Sequence, residues 1–139
     1  MVTWSDALRT GVAEIDEQHQ LLFRRAAVVR DAVLAGQGTA EVQATIDFLL
    51  DYASVHFQTE AGYMAAAAYP DEQEHLDEHV KLTRTLLRAA EAYQAEGATP
   101  KLAEELVGFF ERWLASHIHE HDRRLAGFLV KATTPGVDS

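Results

Sequence analysis

The stretch that decides the fold runs from His56 to His79 and reads HFQTEAGYMAAAAYPDEQEHLDEH. It carries two pairs of metal-type donors, His56 with Glu60 and His75 with His79, and each pair is spaced i, i+4. On an α-helix this spacing places both side chains of a pair on one face, one turn apart. Between the pairs stands Pro70, which cannot continue a helix and restricts the residue before it. The stretch therefore predicts two antiparallel helices that each direct two donors inward.

Apolar residues recur at helical spacing on both sides of this stretch and predict four helices. The expected ranges are about 17–35, 39–68, 71–96 and 100–131, with an irregular arm over 1–15 and a frayed tail over 132–139. Trp4, Val12 and Ile15 are the expected anchors of the arm. The expected N-caps are Asp16, Thr39, Asp71 and Thr99. Short connections between amphipathic helices indicate a single all-α domain over 1–139, an up-down-up-down four-helix bundle with an N-terminal arm.

Composition narrows the class of protein. The 139 residues are 47% hydrophobic, which is enough for a core, but they contain no apolar run long enough to span a membrane. There is no cysteine, so disulfides, cysteine-bound zinc and iron–sulfur clusters are excluded. The net charge of −10 disfavours nucleic acid and anionic membranes as partners. The start MVTWSDALRTG lacks a signal-peptide pattern, and a cytoplasmic location is expected.

Six polar side chains interrupt the apolar stripes of the four helices. Taken alone, a histidine on an apolar face is more often a hydrogen-bonded core residue, and a His/Glu pair is often only a surface hydrogen bond. Burying six such groups without partners would cost several kcal/mol each. A shared metal centre removes that objection, because it satisfies the lone pairs and neutralises the carboxylate. The six residues are His19, His56, Glu60, His75, His79 and His117.

The order His, His-x-x-x-Glu, His-x-x-x-His, His-x-x-x-x-Asp resembles the hemerythrin family, particularly the bacterial hemerythrins. The resemblance covers about residues 4–130, nearly the whole chain. The matching segments are Ile15-Asp16-Glu17-Gln18-His19, His56-Phe57 with Glu60, Met64, Tyr69-Pro70, His75 and His79, Trp113-Leu114, His117-Ile118 and Asp122.

The resemblance implies two iron ions with an oxo or hydroxo bridge. It assigns His75, His79 and His117 to one iron and His19 and His56 to the other, with Glu60 and Asp122 bridging the two. Asp122 rests mainly on the resemblance, because five residues of α-helix turn through about 500° and leave it pointing away from His117. By spacing, His121 at i+4 is the better partner of His117. Asp122 could still bridge the irons if its carboxylate approached from the flank, or if the helix were locally distorted.

A coordination count then indicates the chemistry. Five imidazoles contribute five bonds, two bridging carboxylates four and one bridging oxygen two, which is one fewer than the twelve that two six-coordinate irons take. The open position falls on the iron held by His19 and His56. The resemblance to the family implies that the protein binds O2 reversibly, for storage, delivery or sensing. O2 is then its partner, and the protein is not expected to be an enzyme. Trp113 and Leu114 are expected to form the oxygen pocket, while Phe57 and Ile118 are interpreted as core.

Two alternatives stay open. The first is a di-iron enzyme that handles peroxide or nitric oxide on the same scaffold, and the second is a metal-free or zinc-bound structural bundle. The absence of an evident acid, base or nucleophile beside the ligands favours O2 binding, although weak peroxidase-type activity is compatible with the site.

The chain also departs from the family pattern. The departures are Ala61, Gly62, Tyr63 and Ser116. Gly62, with the alanines at 65–68, suggests a closer helix contact or an easier path for gas. His119 and His121 flank the ligand region on both faces of their helix, so solvent exposure is the simpler interpretation. The functional interpretation of these two histidines is that they support the ligands or bind metal adventitiously.

Overall fold

The computed structural model describes residues 2–97 and 99–133, which form helices joined by short connections. The helices are α1 (Ala13–Leu34), α2 (Thr39–Ala67), α3 (Glu72–Glu96) and α4 (Pro100–His117), and α4 continues through a π-helical segment (Ile118–Asp122) into α5 (Arg123–Thr133). No strand occurs within these described ranges. Both α1 and α3 pack against α2 and α4. This closed arrangement confirms the predicted all-α four-helix bundle.

The first helix begins earlier than the sequence predicts. α1 starts at Ala13 rather than near 17, so Ile15 and Asp16 lie inside the helix and not in the arm or at the N-cap. The buried Asp16 carboxylate accepts hydrogen bonds from the backbone N–H and the hydroxyl of Thr10, both at 2.8 Å, and from the Gly11 N–H at 3.3 Å. Asp16 therefore stabilises the turn before the helix instead of capping the helix itself.

The other predicted caps are only partly right. Thr99 caps α4 as predicted, since its hydroxyl accepts a hydrogen bond from the Leu102 N–H at 3.2 Å. Thr39 is the first helical residue of α2 and Asp71 precedes α3, but neither side chain makes a capping hydrogen bond. The prediction is wrong at Thr39, because Gly38 is the N-cap of α2, whereas Asp71 is the N-cap residue of α3 as predicted but lacks the side-chain hydrogen bond.

The predicted break between the two donor pairs is confirmed. α2 ends at Ala67, and Ala68 adopts a left-handed conformation with φ +52°. The Tyr69 N–H then donates to the Met64 carbonyl at 3.0 Å, which closes the end of the helix. Pro70 follows, and the chain turns before α3 begins.

At the other end of the chain, α5 runs to Thr133, so 132 and 133 are helical and not frayed. The rest of the predicted tail, 134–139, lies outside the described residues. Among the described helices, none combines the length and apolar character that crossing a membrane takes.

Buried apolar side chains form two clusters at different levels of the bundle. The larger cluster draws on all four helices and includes Leu22 and Phe110, with Trp4 of the arm packed against it. The smaller cluster consists of Ile15, Met64, Tyr69, Leu125 and Leu129. His19 lies between Ile15 of the smaller cluster and Leu22 of the larger one in the sequence of α1, and the other predicted ligands occupy the same level. Apolar packing therefore encloses the polar layer from both ends.

Gly62 does not bring helices closer together. It is exposed on α2, and no atom lies within 4 Å of the position that a Cβ would occupy. The prediction of a closer helix contact at this glycine is wrong, because the space beside it is open.

Candidate metal centre

The seven predicted ligands meet inside the bundle in two overlapping groups. In each group the donor atoms lie within 4.8 Å of one another. One group contains Glu60, His75, His79, His117 and Asp122, and the other contains His19, His56, Glu60 and Asp122. None of the seven is more than 5% exposed. The arrangement therefore has three imidazoles on one side, two on the other, and two carboxylates common to both.

Asp122 faces both groups at once. Its Oδ1 lies 3.1 Å from His75 Nε2 and 3.0 Å from His117 Nε2. Its Oδ2 lies 2.8 Å from His19 Nε2. Each oxygen thus approaches a different set of imidazoles, and the carboxylate could hold a metal ion on either side.

Glu60 is the second shared carboxylate. Its Oε1 lies 3.4 Å from His56 Nε2, 3.3 Å from His75 Nε2 and 3.2 Å from His79 Nε2. Adjacent donors of an octahedral ion with bonds of about 2.1 Å stand about 3 Å apart. The spacing around Glu60 therefore suits donors that share a metal ion.

The π-helical segment explains how Asp122 reaches the centre. The Arg123 N–H donates to the Ile118 carbonyl five residues earlier, so this turn holds one residue more than an α-helical turn. The extra residue returns Asp122 to the face of His117, although α-helical spacing would point it away. His121, the alternative by spacing, lies instead at the flank with 14% of its side chain exposed. The helix thus contains the local distortion that the ligand pattern requires.

Many donor atoms of the cluster have no hydrogen-bond partner among the described residues. They include both ring nitrogens of His19, Nε2 of His56, Oε2 of Glu60 and both oxygens of Asp122. The short N···O contacts of Asp122 therefore lack the alignment of hydrogen bonds. A buried polar group without a partner costs about 1–3 kcal/mol. Imidazole and carboxylate donors suit iron, and a pair of metal ions would satisfy those of these atoms that face the centre, since each imidazole would bind through one ring nitrogen.

The electrostatics of the cluster are set by burial and by the opposed charges within it. Burial opposes ionisation of Asp122, but the charge of His117 and the neighbouring imidazoles outweigh it and hold the pKa of Asp122 well below its ordinary value. Burial, together with the negative charge of Asp122, raises the pKa of Glu60 to about 8. Burial lowers the pKa of His75, yet its contacts with Asp122 and Glu60 prevail and raise it to about 9. Glu60 and His75 are therefore the groups from which a bound metal ion would displace protons.

Gln18 orients His56, a role that the sequence did not indicate. The Thr59 hydroxyl donates to the Val55 carbonyl at 3.0 Å, so it accepts from the Gln18 amide Nε2, 3.1 Å away. Gln18 must then present its carbonyl Oε1 to His56 Nδ1, at 2.7 Å. The hydrogen of His56 is thereby placed on Nδ1, and the lone pair of Nε2 faces the centre. The sequence offered only one hint of this role, which is that both residues lie close to predicted ligands. Gln18 adjoins His19, and Thr59 follows His56 by three residues.

Aromatic rings cover two of the ligand imidazoles. Trp113 stacks on His117, with ring centroids 4.4 Å apart and planes 12° from parallel. Phe57 stacks on His79 at 4.0 Å and 15°. The interpretation of Phe57 as plain core is therefore incomplete, whereas Ile118 is fully buried in the larger apolar cluster as expected.

An apolar groove of about 740 Å³ runs between α2 and α3 and reaches this side of the centre. Phe57 and His79 both line it, together with apolar side chains such as Leu76 and Val80. The Phe57 ring therefore lies where the groove meets the ligand imidazole.

Comparison with known proteins agrees with this geometry. Residues 10–129 match the family model described as the hemerythrin HHE cation binding domain. The chain belongs to the hemerythrin family. Bacteriohemerythrin of Pseudomonas paraeruginosa (strain DSM 24068 / PA7) is 31% identical over 121 residues, which cover 87% of this chain and 76% of that protein. Bacteriohemerythrin of Methylococcus capsulatus (strain ATCC 33009 / NCIMB 11132 / Bath) is 28% identical over 124 residues, with 88% and 92% covered.

A solved structure of wild-type hemerythrin has a TM-score of 0.83 and 28% identity, and the match covers 93% of this chain and 98% of that chain. The hemerythrin family binds non-haem iron, and the buried histidine, glutamate and aspartate cluster of this member fits such a metal site.

Proposed function

We propose that this hemerythrin-family chain binds O2 reversibly at a non-haem di-iron centre, for storage, delivery or sensing. In this proposal one iron is held by His75, His79 and His117, the other by His19 and His56, and the bridging carboxylates are Glu60 and Asp122. The observation that carries the proposal is that both carboxylates belong to both groups of donors. A single metal ion would not call for two overlapping groups of buried donors.

The imbalance between the two groups supports binding of a small molecule. With both carboxylates shared, the side formed by His19 and His56 has one imidazole fewer than the side formed by the other three. An iron pair held here would supply two electrons, and the shortfall of protein donors beside His19 and His56 would leave room there for a small molecule. Gln18 holds His56 in the tautomer that leaves its Nε2 free for the metal.

The surroundings of the site keep water away from it. Leu114 and Ile118 are 1% and 0% exposed, and both belong to the larger apolar cluster. Trp113 covers the ring of His117. We assign the oxygen pocket to Trp113 and Leu114, because an apolar wall admits O2 while it limits the irreversible oxidation that water and protons promote.

The buried groups around the centre support binding over catalysis. Among the described residues, the buried charged side chains outside the cluster are Asp16 and Glu111. Asp16 is engaged by Thr10 and Gly11, and Glu111 by Arg30. Within the part of the chain that the structure describes, no further buried carboxylate or imidazole is therefore left beside the ligands to serve a peroxide- or nitric-oxide-handling reaction.

Stopped-flow mixing of the anaerobic iron(II) protein with O2 tests this proposal. The expected result is a visible absorption that forms within the mixing experiment and disappears when the sample is flushed with argon. The zinc-loaded protein is the control, since it keeps the fold and lacks the electrons. Rapid conversion to an oxidised form that does not reverse, with turnover of added peroxide or nitric oxide, would establish the enzyme alternative instead.

A further inference from the structure

A second group of metal-type donors lies at the edge of the buried centre. The donor atoms of Glu78, His117 and His121 lie within 4.8 Å of one another. Glu78 precedes the ligand His79 on α3, and His121 lies in the π-helical segment just before Asp122. The side chain of Glu78 is 30% exposed and that of His121 is 14% exposed, whereas that of His117 is 2% exposed. The group therefore extends from the surface to the wall of the centre.

His121 packs against the side of the centre that has three imidazoles. Its ring stacks on His117 with centroids 5.1 Å apart and planes 24° from parallel. The ring centroid of His75 lies 6.1 Å away. Nε2 of His117 faces the centre, and its Nδ1 is buried with no hydrogen-bond partner among the described residues. The imidazole of His117 thus belongs to both the outer and the inner group of donors.

Carboxylates surround His121 and favour a cation there. Glu74 Oε1 lies 4.0 Å from His121 Nδ1, and Glu120 Oε2 lies 4.0 Å from His121 Nε2. Arg124, 3.7 Å from Glu74, offsets part of this negative charge but pairs with Asp71 as well. An imidazole with carboxylates is a donor set suited to divalent iron or zinc.

His119 provides a contrast two residues away. It is exposed, and its Nδ1 lies 3.2 Å from the guanidinium of Arg123, a group that repels cations. His119 and His121 received the same interpretation from the sequence, but only His121 packs against a ligand of the centre, His117.

We propose that Glu78 and His121 form an outer site for a divalent cation, through which iron passes to the inner position of His75, His79 and His117. The inner ligands are at most 5% exposed, so an ion has to approach them past partly exposed groups. Glu78 and His121 bind the arriving ion at the surface, and the side chains that follow are the imidazoles of the centre itself. The loading role rests on the proposed di-iron centre, whereas the outer site stands on its own donors.

The test follows the binding of Co2+ to the metal-free protein under argon, by stopped-flow absorption and by equilibrium titration. The wild type is expected to bind two ions tightly and one more weakly. Glu78→Gln and His121→Asn are expected to lose the weak ion and to fill the tight positions about tenfold more slowly, with the same two tight ions at the end. Asp77→Asn and His119→Asn are the matched controls, which remove the same charge or ring from neighbouring positions and should load at the wild-type rate.

Loading of both test variants at the wild-type rate would overturn the proposal, as would equal slowing in Asp77→Asn, which would indicate a general effect of charge. Should His121→Asn not fold, which its melting temperature would show, the Glu78→Gln variant decides the question. A wild-type protein that binds no pair of tight ions would instead refute the di-iron centre, so the two failures are distinguishable.

Discussion

Two polar sites inside the bundle, the Arg30–Glu111 pair and the metal centre, differ in whether the protein alone completes them. Arg30 of α1 and Glu111 of α4 form a bidentate pair, with Nη1 donating to Oε2 at 3.1 Å and Nη2 donating to Oε1. The hydrogen bond to Glu111 raises the pKa of Arg30 despite desolvation. In the metal centre, by contrast, five imidazoles and two carboxylates converge, and several of their buried donor atoms have no partner among the described residues.

The difference separates a structural role from a functional one. The Arg30–Glu111 pair joins two helices and satisfies its own charges, so it contributes to the stability of the bundle. The centre keeps lone pairs directed at common points, which costs stability unless a ligand completes it. Substitutions in the metal centre should therefore reduce the iron content, whereas substitutions in the Arg30–Glu111 pair should reduce the free energy of unfolding.

The largest effect is expected from the shared carboxylate of the centre. Glu60→Gln removes a ligand charge common to both donor groups, so iron should fall from two per chain to fewer than about one. The free energy of unfolding of the metal-free protein should stay within about 1 kcal/mol of the wild type, because the Glu60 carboxyl group, with a pKa of about 8, is mostly neutral at pH 7 and the amide has nearly the same shape. Iron analysis and urea denaturation measure the two quantities. A variant that retains two irons would show that Glu60 does not bridge.

The converse result is expected for the ion pair. Glu111→Ala leaves the partly buried Arg30 guanidinium, with 17% of its side chain exposed, without its partner and should lower the free energy of unfolding by about 2 kcal/mol, with two irons retained. The double variant Arg30→Met/Glu111→Leu should recover most of this loss, since apolar side chains of similar volume replace the pair. Chemical denaturation with iron analysis makes the comparison. Loss of iron in Glu111→Ala would mean that the two sites are coupled.

A smaller effect is expected from the orientation of His56. Gln18→Leu removes the acceptor for His56 Nδ1 and should weaken binding at the His19/His56 position by about 10–100-fold, while the three-histidine position is unchanged. Gln18→Glu restores an acceptor and should restore affinity. Gln58→Leu is the control, because Gln58 is exposed on α2 and bonds only weakly to Ser54, at 3.4 Å. Competition with a metal chelator measures the affinities. Equal weakening in both leucine variants would contradict a specific role for Gln18.

The smallest effect concerns pH. Glu60, with a pKa of about 8, and His75, with a pKa of about 9, both hold protons at pH 7 that metal binding displaces. Loading should therefore release about two protons from these groups at pH 7, and metal affinity should rise with pH until both pKa values are passed. Titration calorimetry in buffers of different ionisation enthalpy counts the protons. Affinity that falls between pH 7 and 9 would contradict this charge assignment.

The sequence predicted the parts of the centre that follow local rules. The i, i+4 pairs His56/Glu60 and His75/His79 share a face because α-helical geometry places them there, and the Thr99 cap follows from its own neighbours. Asp16 was assigned wrongly because capping rules look forward along the chain, whereas its partners Thr10 and Gly11 precede it.

The contacts between different helices could not be predicted from local sequence patterns. Asp122 reaches the centre through a π turn, whose extra residue is not apparent from α-helical periodicity. Gln18 meets His56 across 38 residues of sequence, and Arg30 meets Glu111 across 81. A single sequence contains no rule that joins such positions, since the packing of whole helices brings them together.

Anaerobic titration of the metal-free chain with Fe2+ is the most direct test of whether the unsatisfied donors are built for a pair of metal ions. Two tightly bound irons per wild-type chain, reduced below one in Glu60→Gln and unchanged in Glu111→Ala, are the expected result. A titration that ends at one tightly bound iron in the wild type, or that Glu60→Gln leaves unaltered, would contradict the account.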